Sequence, residues 1–301
     1  MPDSVIGSPI ANSSARSDRD GARADRGTAE VRTLYLDLMK KVLTRYAFGE
    51  TWQPYEPRRR TWRHSAFRLG RRALLRPRNL ELVSRFTFSP DDRAEGRDWP
   101  PEAETMIGLR RLDNLQRCVG DVIEQDIPGD LIETGVWRGG ACIFMRAMLK
   151  AYAVHDRTVW VADSFRGLPV AREGRSDDVE DALWEVDFLR VPQERVQANF
   201  ARYDLLDDQV RFLPGWFEDT LPTAPVEQIA VMRLDGDMYD STMVALRSLY
   251  PKLSVGGYVI VDDYLAVRGC RHAVDDFRAE HGITDELCRV DWTCHFWRRT
   301  A

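Results

Sequence analysis

The sequence predicts an α/β protein with a mostly parallel seven-stranded sheet, helices on both of its faces, and a helical region in front of it. Three observations carry this. From Gly129 onward, short apolar runs alternate with helical patterns, the rhythm of a parallel sheet covered on both sides. The apolar runs end in glycines and acidic residues, and the carboxyl ends of the strands are where an open α/β sheet binds its ligands. The last two strand candidates follow one another with no helix between them, which suits an antiparallel excursion at a sheet edge.

The composition bounds the class. The chain has 301 residues, 44% apolar and 30% charged, ordinary values for a globular protein. Its net charge of −5 argues against a nucleic-acid partner. No run approaches the roughly 18 to 20 uncharged apolar residues of a membrane helix, so no membrane partner is expected. Met1 to Gly27 lacks an apolar core of the signal-peptide kind, which makes the cytoplasm the expected compartment. The five cysteines (Cys118, Cys142, Cys270, Cys288, Cys294) contain no C-x-x-C pair, and the five histidines no H-E-x-x-H. A disulfide framework and a Cys/His zinc site are therefore not expected, and any metal should be a hard cation held by carboxylates.

Residues 1–28 are polar and aperiodic and are expected to be a disordered tail. A helix is expected from about Thr28, with Leu34, Leu38 and Val42 spaced for one face, closed by Gly49 and Pro54. Residues 57–85 carry ten arginines (Arg58, Arg59, Arg60, Arg63, Arg68, Arg71, Arg72, Arg76, Arg78, Arg85) against one acid, Glu81. A docking surface for an anionic partner or a membrane is one reading; a solvated helix in a lid or oligomer contact is the better one, because the rest of the chain is acidic. Residues 91–101 read as a turn-rich connection, and a helical stretch follows from about Glu102 to Asp126, with Met106, Leu109, Leu112, Leu115 and Val119 in one row. Strands are expected at Asp130–Val136, Thr158–Asp163, Val210–Leu213, Ile229–Asp235 and Tyr258–Asp262, with two more near Glu286–Val290 and His295–Arg298. Helices are expected between them at Ala141–Tyr152, Gln193–Tyr203, Ser241–Tyr250 and Cys270–His281.

The chemistry sits at the strand ends. The first strand runs into Glu133-Thr134-Gly135-Val136-Trp137-Arg138-Gly139-Gly140, which matches neither G-x-G-x-x-G nor the phosphate-cradling G-x-x-x-x-G-K-[ST]. The second ends in Asp163, whose paired oxygens can accept both hydroxyls of a ribose. The fourth ends in Asp235-Gly236-Asp237 and the fifth in Asp262-Asp263. If these strands are neighbours, their tips lie about 5 Å apart. Asp235, Asp262 and Asp263 then crowd one volume and repel each other unless a cation neutralises them. Oxygen ligands with open positions suit Mg²⁺.

These segments, together with Thr105-Met106-Ile107-Gly108, Arg111-Leu112-Asp113-Asn114-Leu115, Ala162 to Pro169, Leu234 to Thr242 and Gly256 to Tyr264, resemble the macrocin O-methyltransferase family. Five parallel strands with a terminal hairpin are likewise, by analogy, the class I methyltransferase (Rossmann-like) pattern. The resemblance covers about residues 29–50 and 93–300. It implies S-adenosylmethionine as methyl donor, touched by Met106, Glu133, Thr134, Gly135, Val136, Trp137, Asp163, Ser164, Gly215 and Trp216. It implies Mg²⁺ on Asp235, Asp262 and Asp263, with Asp237 as the base that removes a proton from a deoxysugar hydroxyl. It implies a small-molecule glycoside as acceptor, and a homo-oligomer in which residues 29–128 form a helical lid and oligomer contact beside a catalytic domain of residues 129–301. The arginine-rich stretch is longer than the family's usual lid. A catechol-type enzyme acting on a phenolic diol is the alternative, but that pattern has Asp-Asn on the fifth strand and a lysine soon after the fourth. Here the pair is Asp262-Asp263 and no lysine follows Asp235 before Lys252. A non-catalytic protein docking through its basic stretch would have no need of a repelling carboxylate set.

Overall fold

The computed structural model describes residues 14–55, 69–171 and 186–301. The first part of the arginine-rich stretch, Arg58 to Arg68 with Trp62 and Phe67, lies outside the described residues, as does the first part of the expected tail, residues 1–13.

The first helix, α1, spans Ser14–Leu43, so residues 14–28 are helical where a disordered tail is expected. Its buried row is Leu36, Met39 and Leu43, spaced i, i+3, i+7. The period matches expectation and the face does not: Leu34 and Leu38 point outward. The buried row packs α1 against the sheet domain rather than leaving it as a separate layer. An unanticipated two-stranded antiparallel sheet follows, β1 (Thr51–Pro54) with β2 (Val83–Phe86). The expected turn at residues 91–101 instead opens with a short helix, α2 (Pro90–Glu95). Its signals are all in the sequence: Ser89 caps it by accepting from the Asp92 amide, Pro90 opens it, Asp91 and Asp92 fill its first turn, and Gly96 ends it at φ +66°. Helix α3 (Leu109–Glu124) buries Leu112, Leu115, Val119 and Val122. It begins later than Glu102 and leaves Met106 in the preceding loop.

The main sheet consists of β3 (Asp130–Thr134), β4 (Val159–Asp163), β5 (Val210–Pro214), β6 (Ile229–Leu234), β7 (Leu253–Val261), β8 (Cys288–Arg289) and β9 (His295–Arg298). Its order is β5-β4-β3-β6-β7-β9-β8. The first five are parallel, and β9 runs antiparallel between β7 and β8. Five parallel strands and a terminal hairpin are the architecture expected. Helices α4 (Gly140–Ala151) and α5 (Gln193–Arg202) join α1 and α3 over one face. Helices α7 (Tyr239–Leu249) and α8 (Arg268–Glu280) cover the other, and α6 (Phe217–Thr220) is a single turn after β5. All six residues of β6 are buried, because the central strand of a doubly covered sheet has no solvent face. No helix of the described residues is long and apolar enough to cross a membrane.

Register decides where the site falls. Thr134 pairs with both Ala162 and Leu234, and Leu234 pairs with Val261. The carboxyl ends of β3, β4, β6 and β7 therefore finish level, and the residues just beyond them share one edge.

Leu36→Ala should cost about 2–5 kcal/mol, because its site is fully enclosed. Urea unfolding checks this, and a cost below about 0.5 kcal/mol, typical of surface positions, would mean that α1 does not dock on the sheet domain.

Candidate active site

A cavity of about 680 Å³ opens over the level strand ends. Met106, Glu133, Gly135, Val136, Trp137, Asp163, Ser164 and Trp216 line it, as do Asp235, Asp237, Asp262 and Asp263. Two expected contacts do not: Thr134 is buried within β3, and Gly215 lies behind the wall, its amide donating to the Asp163 carbonyl at 2.9 Å.

The first loop has to be glycine where it crosses β6. Gly135 has φ +84°, and a Cβ there would sit 1.8 Å from the Asp235 carbonyl oxygen. Beside it, Asp163 accepts the Val136 amide on Oδ2 at 2.8 Å and the Phe165 amide on Oδ1 at 2.7 Å. Ser164 Oγ stands a further 3.5 Å from Oδ1, so the carboxylate is fixed in orientation at the cavity wall. Burial raises the Asp163 carboxyl, and these amide bonds work against the rise. Trp137, at φ +47°, is pinned by its indole N–H donating to the Phe188 carbonyl at 2.9 Å.

Glu133 reaches the cavity wall but works underneath it. It is 2% exposed and accepts from Cys142 Sγ at 2.7 Å and from the guanidinium of Arg233. Burial pushes its carboxyl up to about 7.

Across the cavity, one carboxylate oxygen from each of Asp235, Asp237 and Asp263 lies within 4.8 Å of the others. Burial holds the Asp263 carboxyl well above its ordinary range, and the neighbouring Asp237, Asp235 and Asp262 add to the rise. Its Oδ2 is buried without a hydrogen-bond partner. A buried, unpartnered carboxylate oxygen between two more carboxylates is the donor set a hard divalent cation fits. Asp237 sits at the centre of a three-residue turn closed by the Met238 amide donating to the Gly236 carbonyl at 2.6 Å, with φ +56°. A non-glycine residue held there is strained, and the strain aims its side chain into the cluster.

Asp262 departs from the expected grouping. Both its oxygens accept from arginines: Oδ1 from Arg233, Oδ2 from Arg111 Nη1 at 2.5 Å. The reason is strand alternation, since consecutive residues at a strand end face opposite ways and only Asp263 turns to Asp235. Arg233 also holds Glu133 and Asp235, the latter at 2.8 Å. Arg111, on α3, reaches on to Asp291 of the terminal hairpin at 2.7 Å. No role was expected for either arginine. The signal was available for Arg233: a charged residue inside the apolar run Ile229-Ala230-Val231-Met232-Arg233-Leu234 has to find buried partners.

A match to the Macrocin-O-methyltransferase (TylF) family spans residues 32–299. The chain belongs to the macrocin O-methyltransferase family. This O-methyltransferase is 57% identical over 216 residues to the demethyldecarbamoylnovobiocin O-methyltransferase of Streptomyces niveus, covering 71% of this chain and 82% of that one. It is 49% identical over 280 residues to the 8-demethyl-8-(2,3-dimethoxy-alpha-L-rhamnosyl)-tetracenomycin-C 4'-O-methyltransferase of Streptomyces olivaceus, covering 91% and 95%. Among solved structures it resembles the O-methyltransferase NovP, with a TM-score of 0.76 and 50% identity over 90% of this chain and all of that one.

For this macrocin-type methyltransferase the two arginines are the structural condition of the site. Arg233→Met would leave Glu133, Asp235 and Asp262 short of their shared cation, and should cost about 3–5 kcal/mol in urea unfolding, the scale for breaking a buried ion pair. A loss of about 1 kcal/mol or less, as for an exposed pair, would show that the carboxylates are satisfied without it.

Proposed function

We propose that the chain transfers a methyl group from S-adenosylmethionine to a sugar hydroxyl of a glycosylated natural product, with Mg²⁺ bound at the strand-tip carboxylates. The observation that carries the reading is the unpartnered Asp263 oxygen beside Asp235 and Asp237, on the edge of the same cavity as Asp163. The relatives' names support the acceptor class: one acts at the 4' oxygen of a rhamnosyl-tetracenomycin, another on a novobiocin precursor.

The division of labour follows from the residues. Asp163 accepts the ribose hydroxyls of the donor, and Gly135 lets the donor approach the backbone. Asp235 and Asp263 are the principal metal ligands. Asp262 retains one acceptor site on each oxygen beyond its arginine bonds, and so stands third in the set. When bound, Mg²⁺ supplies a Lewis acid for a substrate hydroxyl, and S-adenosylmethionine supplies the methyl. Asp237, held on its strained turn, takes the proton from that hydroxyl as general base. Arg233 and Arg111 keep the carboxylates in place. The enclosed cavity brings donor carbon and acceptor oxygen together, and positioning of two reactants is a large part of such an acceleration.

The helical N-terminal region fits the proposed lid and oligomer contact. Val31, Leu34 and Leu38 form an exposed apolar row along α1, which a second copy of the chain would cover. The expected assembly is a homo-oligomer, and Leu34→Asp should shift it toward monomer in light scattering. A wild-type chain that is monomeric throughout would remove this part.

Asp237→Asn keeps size and shape but accepts no proton. It should leave Mg²⁺ and S-adenosylhomocysteine binding nearly intact and lower kcat by roughly 10²- to 10⁴-fold. Asp263→Asn should abolish Mg²⁺ binding and turnover together, and Asp262→Asn should weaken Mg²⁺ binding less. If Asp237→Asn loses Mg²⁺ affinity instead, Asp237 is a ligand and the base lies elsewhere. Full turnover in EDTA would reject the metal. Calorimetry with S-adenosylhomocysteine should show binding that Asp163→Ala strongly weakens.

A further inference from the structure

The mouth of the cavity carries a half-exposed indole. Trp99 lines the cavity and is 52% exposed. Among the described residues, no hydrogen bond or ring contact holds its side chain. The loop that carries it is tied on both sides. Just before it, the carboxylate of Asp98 accepts from the buried Arg93 Nε on both oxygens at 2.8 Å, and Arg93 also donates to the Thr44 carbonyl at 3.0 Å. Just after it, Arg138 Nη1 donates to the Pro101 carbonyl at 2.5 Å and the Ala103 carbonyl at 2.9 Å, and the Gly140 amide donates to the Glu104 carbonyl at 2.9 Å. The backbone is fixed and the indole is left open over the site.

Its surroundings match. Leu265 and Val170 line the same cavity and are exposed as well. Trp292 also lines the cavity; its indole N–H donates to the Glu95 carbonyl at 2.9 Å and its ring is packed by the guanidinium of Arg97 at 4.9 Å. One tryptophan is therefore spoken for within the fold and the other is not. The carboxylates lie at the strand tips, and Trp99, Leu265 and Val170 are the cavity's exposed apolar rim. An acceptor that puts a sugar hydroxyl among the carboxylates has to bring the rest of itself out past that rim.

We propose that Trp99 is a preorganised stacking platform for the flat apolar aglycone of the acceptor, with Leu265 and Val170 completing the contact. The inference rests on the glycoside reading above and deepens it: the enzyme recognises the sugar at the carboxylates and the aglycone at the mouth. A rigid aromatic on an anchored loop binds a flat partner at little ordering cost, because the loop entropy is already lost.

The test compares two probes that share the sugar and differ in the aglycone, methyl α-L-rhamnoside and p-nitrophenyl α-L-rhamnoside. In the wild-type enzyme the aryl glycoside should have a KM about tenfold lower than the methyl glycoside, the scale of one good aromatic stack. Trp99→Ala should bring the ratio of the two KM values close to one, and Trp99→Phe should restore most of it. S-adenosylhomocysteine affinity measured alongside establishes that the variants are folded, because Asp163 and its loop are remote from the substitution in the chain. An aryl preference that survives Trp99→Ala, or none in the wild type, overturns the platform while leaving glycoside methylation standing. If neither rhamnoside is methylated or bound while S-adenosylhomocysteine binds normally, the glycoside reading fails and the platform with it.

Discussion

The site depends on one buried cation. Arg233 is the only charged residue of β6, enclosed on every side, and its guanidinium is shared among Glu133 from β3, Asp235 at the end of its own strand, and Asp262 from β7. An arginine is suited to this because its planar fork donates in several fixed directions and stays charged at any working pH. Burying it alone would be prohibitive, and burying three carboxylates alone equally so. Together they make a self-consistent unit, and that unit spans three adjacent strands. The strand tips can therefore hold a concentration of negative charge that the sheet would otherwise expel. Burial and the neighbouring carboxylates raise Asp263 because that compensation stops short of it.

Arg111 extends the unit out of the sheet. It comes from α3, in front of the sheet in sequence, and ties Asp262 to Asp291 on the hairpin at the other end of the chain. Asp291 is in turn held by the Thr293 and Cys294 amides at 3.0 and 2.9 Å. The helical region, the end of β7 and the terminal hairpin thus meet at one ion-paired junction. Trp292 stands beside this junction, with the Arg111 guanidinium 5.8 Å from its ring centre, and lines the cavity. The loop bearing Trp99 is tied separately, through Arg93 to the residue after α1 and through Arg138 to the loop that follows β3. The N-terminal helices are consequently built into the site's walls.

The sheet was legible because its signal is repetitive: apolar runs at strand spacing, acidic residues at their ends, and a final pair of strands without a helix. The placement of Gly135 and Asp163 at the cavity was legible for the same reason, since it follows from strand order. Face and partner were harder to read. Two apolar rows run along α1, and the sequence alone favours Leu34 and Leu38, while packing selects Leu36, Met39 and Leu43. Spacing places Asp262 and Asp263 together at a strand tip, yet alternation sends them opposite ways, one to two arginines and one to Asp235. Arg233 and Arg111 went unassigned because their partners are distant in sequence, 100 residues between Arg233 and Glu133 and 180 between Arg111 and Asp291. Such pairings exist only once the sheet order is known.

Three of the eight non-glycine residues with positive φ among the described residues fall along one edge. Trp137, Phe165 and Asp237, three non-glycine residues with positive φ, each stand just past the carboxyl end of a strand, at β3, β4 and β6. Each position costs on the order of 1–3 kcal/mol and persists only where the surroundings over-determine it. They are over-determined here: Trp137 by its indole bond, Phe165 by its amide on Asp163, and Asp237 by the closed turn. The stability that sustains this edge comes from the two apolar layers beneath it, where β6 is buried along its whole length. A fold of this kind separates the two demands in space. The layers supply cohesion, and the strand ends can then be strained, charged and open at once, which is the combination the proposed metal-assisted transfer to a hydroxyl requires.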